Sequence, residues 1–255
     1  MSPSSSGSDP AAIVTGGTRG IGREIAARLA AAGYRVLTCG RRAPADLPDG
    51  VAFTAADVRE PEAAGQLVAA AVDRFGRLDL VVNNAGGSPA APAATASPNL
   101  VTAVVRLNLL APFFVAQAAN TVMQGQPDGG LIVNIGSVSA LRPAPGTAAY
   151  AAAKAGLETL TRALALEWAP KVRVNTVTAG VVRTEDNTAH YGDEAALAAV
   201  AATVPMGRMA TPADIADAVL LLASPLAAYL TGASLLVDGG GQLPRYADTA
   251  RPGAT

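Results

Sequence analysis

A tyrosine and a lysine four residues apart, Tyr150 and Lys154, carry the sharpest chemical signal in the chain. On a helix, positions i and i+4 share one face. A phenol with an ordinary pKa of about 10 is a poor acid or base at neutral pH. An ammonium beside it lowers that value and makes proton transfer workable. The chain has 5 tyrosines and only two lysines, Lys154 and Lys171, so this spacing seldom arises by chance. The bland alternative is a tyrosine packed over a lysine stem. Ser137 lies 13 residues upstream of Tyr150, at the end of an apolar run, and its hydroxyl can donate to a substrate oxygen. Ser139 is the second candidate for that role. Asn108 stands among Leu107, Leu109 and Leu110, either as a satisfied core amide or as a post in a proton relay.

A second group of residues suits a nucleotide. Thr15-Gly16-Gly17-Thr18-Arg19-Gly20-Ile21-Gly22 follows a short apolar run and opens a helical pattern. Glycines there let the backbone approach a pyrophosphate, and the free N–H groups of a helix N-terminus attract its charge. A second apolar run ends Cys39-Gly40-Arg41-Arg42. A carboxylate at that place would bind the adenosine ribose of NAD, whereas arginine pairs with the 2′-phosphate of NADP. Gly40 fills the acidic position and two arginines follow; Arg19 adds charge from the glycine loop. Asp57-Val58 after a third run can accept the adenine amino group, or Asp57 can simply cap the next helix. Asn83-Asn84-Ala85-Gly86 after a fourth run suits a loop that holds the sheet edge open, or an Asx turn.

These positions need a scaffold that gathers strand ends. Apolar runs at Ala11–Thr15, Arg35–Cys39, Val51–Thr54, Leu78–Asn83, Leu131–Ile135, Val172–Val177 and Ser234–Val237 read as buried strands. Helical patterns alternate with them: Gly20–Ala32, Glu60–Phe75, Asn99–Met123 with a joint at Pro112, Tyr150–Trp168, Glu194–Thr203 and Thr211–Ala223. Continuous rather than alternating apolar strands imply burial on both faces. The spacing therefore predicts an α/β fold with a single doubly wound, Rossmann-type parallel sheet and helices on both faces. A flexible segment is expected at 1–10, one dinucleotide-binding and catalytic domain at 11–240 with a lid at about 181–205, and a tail at 241–255. The lid carries Arg183, Glu185, Asp186, His190 and Tyr191, and Leu141, Pro143 and Pro145 form an apolar wall.

Composition removes other classes. At 255 residues, 50% hydrophobic and 15% charged, the chain can bury a core without disulfides. A net charge of -1 and 4% aromatic content argue against a nucleic-acid partner. One cysteine, Cys39, and one histidine, His190, leave no ligand set for zinc or an iron–sulfur cluster, and so no zinc alcohol dehydrogenase. No uninterrupted apolar stretch approaches a membrane span and the first ten residues hold no apolar leader, so a cytoplasmic protein is expected. The long helices Asn99–Met123 and Tyr150–Trp168 carry more Ala, Val and Leu than one sheet face needs, which suggests subunit contacts.

In the order and spacing of these residues the chain resembles the short-chain dehydrogenase/reductase family, in its shorter-subunit branch, over about residues 11–240. The resemblance is carried by Thr15, Gly16, Gly20 and Gly22; Asp57; Asn83–Gly86; Asn108; Ser137, Tyr150 and Lys154; Asn175, Gly180 and Thr184; and Val237–Gly240. It implies that Tyr150 is the acid/base at the substrate oxygen, that Ser137 orients that oxygen, and that Lys154 lowers the tyrosine pKa and holds the nicotinamide ribose. Asn108 would anchor a water linking Lys154 to solvent. The cofactor, expected to be NADP(H), would lie along Thr15, Gly16, Thr18, Arg19, Gly20, Ile21 and Gly22; Gly40, Arg41 and Arg42; Asp57 and Val58; Asn84, Ala85 and Gly86; Tyr150 and Lys154; and Gly180, Val182 and Thr184. Hydride would pass between the nicotinamide and the carbonyl of a moderately apolar ketone or secondary alcohol. The rival readings are a reductase of 3-oxoacyl thioesters and a nucleotide-binding scaffold without catalysis. The family pairs such helices in dimers, and two dimers make a homotetramer. Two departures stand out. Ala179-Gly180 replaces the family's Pro-Gly, which would loosen the nicotinamide pocket, and Gly136-Ser137 replaces its Ser-Ser.

Overall fold

The apolar runs become seven strands: β1 (Ala11–Thr15), β2 (Arg35–Gly40), β3 (Val51–Ala55), β4 (Leu80–Asn83), β5 (Gly130–Ser137), β6 (Val172–Ala179) and β7 (Ser234–Val237). In the computed structural model, which describes residues 9–185 and 191–241, they form one sheet in the order β3-β2-β1-β4-β5-β6-β7. Every neighbouring pair is parallel. The helices are α1 (Gly20–Ala31), α2 (Pro61–Phe75), α3 (Pro98–Val105), α4 (Ala111–Gly125), α5 (Ala148–Trp168), α6 (Glu194–Ala202) and α7 (Pro212–Ala223). The expectations for 1–8, 186–190 (with Asp186 and His190) and 242–255 lie outside the described residues.

Successive strand residues point to opposite faces, and both faces are covered. Ala12 and Val14 pack with Ile25 and Leu29 of α1 and Ile215 and Val219 of α7. Ile13 packs on the other side with Leu67 of α2, Val115 and Met123 of α4, and Leu164 of α5. This explains why the strands read as unbroken apolar runs. The chain winds outward from β1 to β3, then returns to β4 on the other side of β1. That reversal opens a crevice at the carboxyl ends of β1 and β4, the usual ligand site of such sheets.

Three local expectations shift. Strands β5 and β6 run two residues further than their apolar cores, because Gly136 and Ser137 pair with Thr178 and Ala179. The ladder bonds backbone to backbone and is indifferent to the polarity of those side chains. The long helix breaks before Pro112 rather than at it. Residues Arg106–Leu110 form a π turn, and Pro112 sits in the first turn of α4, where its missing N–H costs little. Asp57 does not cap α2, whose N-cap is Glu60 with no side-chain bond.

The whole helical run Pro98–Gly125 has a window of mean hydropathy 1.6, long and apolar enough by composition to cross a membrane. Arg106 and Asn108 interrupt it, so it holds no unbroken apolar stretch of that length. Its α4 half packs Val115, Ala119 and Met123 against the sheet, while only a third of the apolar window is buried. The exposed positions of α4 are Gln117, Thr121, Gln124 and Gly125, and the exposed large apolar side chains of the run are Val101 and Leu110 upstream of it.

Candidate active site

The crevice begins where β1 meets α1. Thr15 is buried and its Oγ1 accepts the backbone N–H groups of Asn84 and Ala85, both at 3.0 Å. The Asn84 Nδ2 donates back to Thr15 O and Gly16 O. The loop after β4 is thereby pinned to the glycine loop. Gly22 lies against this junction. A Cβ there would sit 2.3 Å from Asn84 Nδ2 and 2.4 Å from Gly16 O, so no side chain fits. Thr38, which sequence reasoning passed over, accepts from Gly17 N at 2.9 Å and holds the loop from beneath. Only its contact reveals it, since a threonine inside a strand carries no signal. Asn83 donates to Asn134 and to Pro112 O, so it braces strands rather than forming an Asx turn.

The resulting cleft holds about 390 Å³ and is lined by the residues from Thr18 to Gly22, by Gly40, Arg41, Asp57 and Val58, by Asn84–Gly86 and by Thr184. Arg41 is exposed along its rim; Arg42 is exposed and lies outside the lining. Arg59, also missed in the sequence, lines it as well. Its Nε donates to both oxygens of Asp57, at 2.8 and 3.1 Å, and its backbone N donates to Oδ1. This guanidinium holds the Asp57 carboxyl below the usual carboxylate range, against a smaller upward push from burial. The cleft fits a dinucleotide on its own evidence. The first N–H of α1, at Gly20, already donates to an anion, the Glu185 carboxylate, at 3.0 Å. That is where a pyrophosphate would be seated. Cys39 is buried, its thiol pushed up to about 11 by burial, and takes no part in chemistry.

A second cleft of about 380 Å³ continues from the first, sharing Ile21, Gly86 and Thr184. It brings together Ser137 and Ser139 from the end of β5 and beyond, Tyr150 and Lys154 from α5, Gly180 and Val182 after β6, and Tyr191. The Ser137 hydroxyl and the Tyr150 phenol line the same wall of this cleft. Burial raises the phenol pKa, the serine pulls the other way, and the net direction is up. The expected lowering by Lys154 is therefore absent in the protein alone. Lys154 Nζ lies 5.8 Å from the centre of the Tyr150 ring rather than on its oxygen. It donates to Ile135 O at 2.8 Å, and burial lowers its own pKa to about 8. Ser139 donates its backbone N–H to Ser137 Oγ and so positions that hydroxyl.

Asn108 is fully buried in the π turn. Its Nδ2 donates to Gly87 O and Val104 O, and its Oδ1 accepts from Gly87 N. These three bonds satisfy its side-chain amide. It also sets the loop beside Lys154, because a Cβ on Gly86 would lie 2.9 Å from Asn108 Oδ1 and 3.4 Å from Lys154 Nζ. No group of three or more metal-ligating side chains occurs among the described residues.

Comparison with known proteins decides the family. A family model described as enoyl-(acyl carrier protein) reductase matches residues 16–242. A solved structure described as a short-chain dehydrogenase/reductase family protein superposes with a TM-score of 0.82 at 40% identity, covering 91% of this chain and 97% of that one. The chain belongs to the short-chain dehydrogenase/reductase family. It is 39% identical to the 3-oxoacyl-acyl-carrier-protein reductase of Vibrio cholerae over 236 residues, 90% of this chain and 96% of that protein. It is 37% identical to the L-rhamnose 1-dehydrogenase (NAD(P)(+)) of Azotobacter vinelandii over 246 residues, 91% and 96% of the two. A short-chain dehydrogenase/reductase is an oxidoreductase that uses a nicotinamide cofactor and acts on a CH–OH or C=O group. The two clefts join where such a reaction needs cofactor and substrate to meet.

Proposed function

We propose that this short-chain dehydrogenase/reductase is an NADP(H)-dependent reductase of ketones, or dehydrogenase of the matching secondary alcohols. The observation that carries the reading is that Ser137, Tyr150 and Lys154 line one cleft, and that this cleft runs into the dinucleotide cleft. A bound nicotinamide supplies or takes the hydride. The chain's own groups do the rest. Ser137 donates to the carbonyl oxygen and fixes its position. Tyr150 gives its hydroxyl proton to that oxygen as negative charge develops there. Lys154 places a cation next to the phenol and, with the ribose bound between them, favours the phenolate left behind. Thr184 and the backbone at Val182 are placed to hold the carboxamide, and Asn108 secures the loop beside Lys154.

The choice of NADP(H) rests on charge. Gly40 puts no carboxylate at the end of β2, Arg41 lines the cleft, and Arg19 lines it from the glycine loop. A 2′-phosphate between such groups gains charge-assisted hydrogen bonds. Fluorescence titration is expected to show NADPH binding at least tenfold tighter than NADH, and Arg41→Asp is expected to reverse the order. Equal affinities in the parent protein would overturn the NADP(H) reading. A 3-oxoacyl thioester is the second substrate reading, favoured by the likeness to the Vibrio cholerae enzyme. A panel of simple ketones and acetoacetyl thioesters, read by loss of NADPH absorbance, separates the two.

Exposed apolar side chains suit self-association. Val101 lies on α3, Leu110 ends the π turn, and Leu166 on α5 is 85% exposed. A second group, Leu226, Tyr229, Leu230 and Leu236, surrounds β7. Two separate patches suit a dimer of dimers with closed symmetry. Sedimentation at micromolar concentration is expected to give a tetramer; a stable monomer would refute it. The proposed setting is the cytoplasm.

A further inference from the structure

Beside the catalytic cleft lies a third cavity of about 240 Å³ that the reaction as described does not use. Pro89, Ala91, Ala96, Leu100, Val101 and Val104 form most of its wall. It shares Ser88, Pro89, Gly146, Thr147 and Tyr150 with the catalytic cleft, so the tyrosine stands between the two spaces. The polar groups in the wall are already used. Ser88 Oγ donates to Pro89 O, and Thr147 Oγ1 donates to Ala144 O and accepts from Ala144 N. Among the described residues, no charged side chain lines the cavity. A backbone bond from Ala91 N to Gly146 O, 3.0 Å long, ties together the two loops that form its mouth.

We propose that this cavity receives the aliphatic chain of the ketone, and that Val101, Leu100 and Ala96 set the length accepted. The inference rests on the ketone reading above. An occupant with a charge or an unpaired polar group would find no partner there, whereas a hydrocarbon chain would leave nothing unsatisfied. The carbonyl oxygen would stay at Ser137 and Tyr150 while one substituent passes the tyrosine ring into the cavity. The volume is about eight times the ~30 Å³ share of a liquid water molecule, room for a chain of roughly six to eight carbons. The other substituent faces Val182 and Tyr191 in the catalytic cleft.

A series of 2-alkanones of increasing length tests this, with the reducing cofactor saturating. Each added methylene is expected to raise kcat/KM about fourfold until the cavity is full, after which the series levels off. Val101→Trp and Ala96→Phe are expected to lower the ratio of kcat/KM for the longest to the shortest ketone at least tenfold. Melting temperature and cofactor titration accompany both variants, and two positions guard against one failing to fold. A flat series in the parent protein, or variants that leave the ratio unmoved, would overturn the proposal. So would a loss of subunit association in Val101→Trp with the ratio unchanged, because a second copy would then be the occupant. If no ketone of any length is reduced, the ketone reading itself fails, which is a separate result.

Discussion

Tyr150→Phe is expected to lower turnover by about 10²–10⁴ and to leave cofactor affinity and melting temperature close to those of the parent. The change removes one oxygen, from a ring that lines the catalytic cleft together with Ser137 and Lys154. The ring keeps its packing on α5, and Lys154 Nζ, 5.8 Å from the ring centre, keeps its bond to Ile135 O. What is lost is the proton for the developing alkoxide. Ser137→Ala leaves the phenol but removes the hydroxyl that pulls its pKa down, so turnover falls while the pH at which the oxidation reaction gains speed moves up. Near-normal ketone reduction by Tyr150→Phe would make the tyrosine a packing residue and sink the assignment.

Lys154→Met is expected to lower turnover by a comparable factor and, unlike the tyrosine variant, to weaken cofactor binding. The ammonium lies 5.8 Å from the centre of the Tyr150 ring, and in the proposed function it holds the ribose. A second readout distinguishes this role from simple packing. Burial lowers the lysine from 10.5 to about 8, so between those values the unfolded chain holds a proton that the folded protein has released. Where the unfolded state binds more protons, stability rises with pH. The parent protein, free of cofactor, should therefore gain stability from this group between pH 8 and pH 10.5, and Lys154→Met should not. The gap in melting temperature between the two, constant below pH 8, is expected to move in the parent's favour across that window. A gap that stays flat from pH 7 to pH 10.5 would show that the lysine is not desolvated as its burial implies.

The two experiments bear on one physical point. A phenol buried without help is a weaker acid than one in water, and in the protein alone the Tyr150 pKa is raised. The lysine four residues on does not correct this by itself. In the proposed function a ribose bound between the two groups supplies that correction, and acid–base competence would then belong to the complex with cofactor. Glu185 at the N-terminus of α1 gives the cofactor cleft the same character, since the seat for a pyrophosphate is held by the protein's own anion.

Much of this was determined by local sequence. Apolar runs alternating with helical periods specify the parallel sheet, because a strand covered on both faces must be apolar throughout. The glycines from Gly16 to Gly22 announce a close backbone approach, since any side chain at Gly22 would collide with Asn84. Tyr150 and Lys154 show their relation through helical spacing alone, and Ser137 through its place at a strand end. Other features exist only after distant segments meet. Thr38 supports Gly17 across 21 residues, and the wall of the aliphatic cavity joins residues near 90, 100 and 147. Arg59 lies close to Asp57 in sequence, yet its reach into the dinucleotide cleft depends on how β1, β2 and β3 stack. Asn108 looks the same in sequence whether it relays protons or fills the core; the π turn and Gly87 decide that its amide is satisfied. The lysine pKa is likewise a tertiary property, because desolvation counts every atom that excludes water. Periodicity and spacing record what a residue does along its own element; burial, pKa and cavity shape depend on what other elements bring to it.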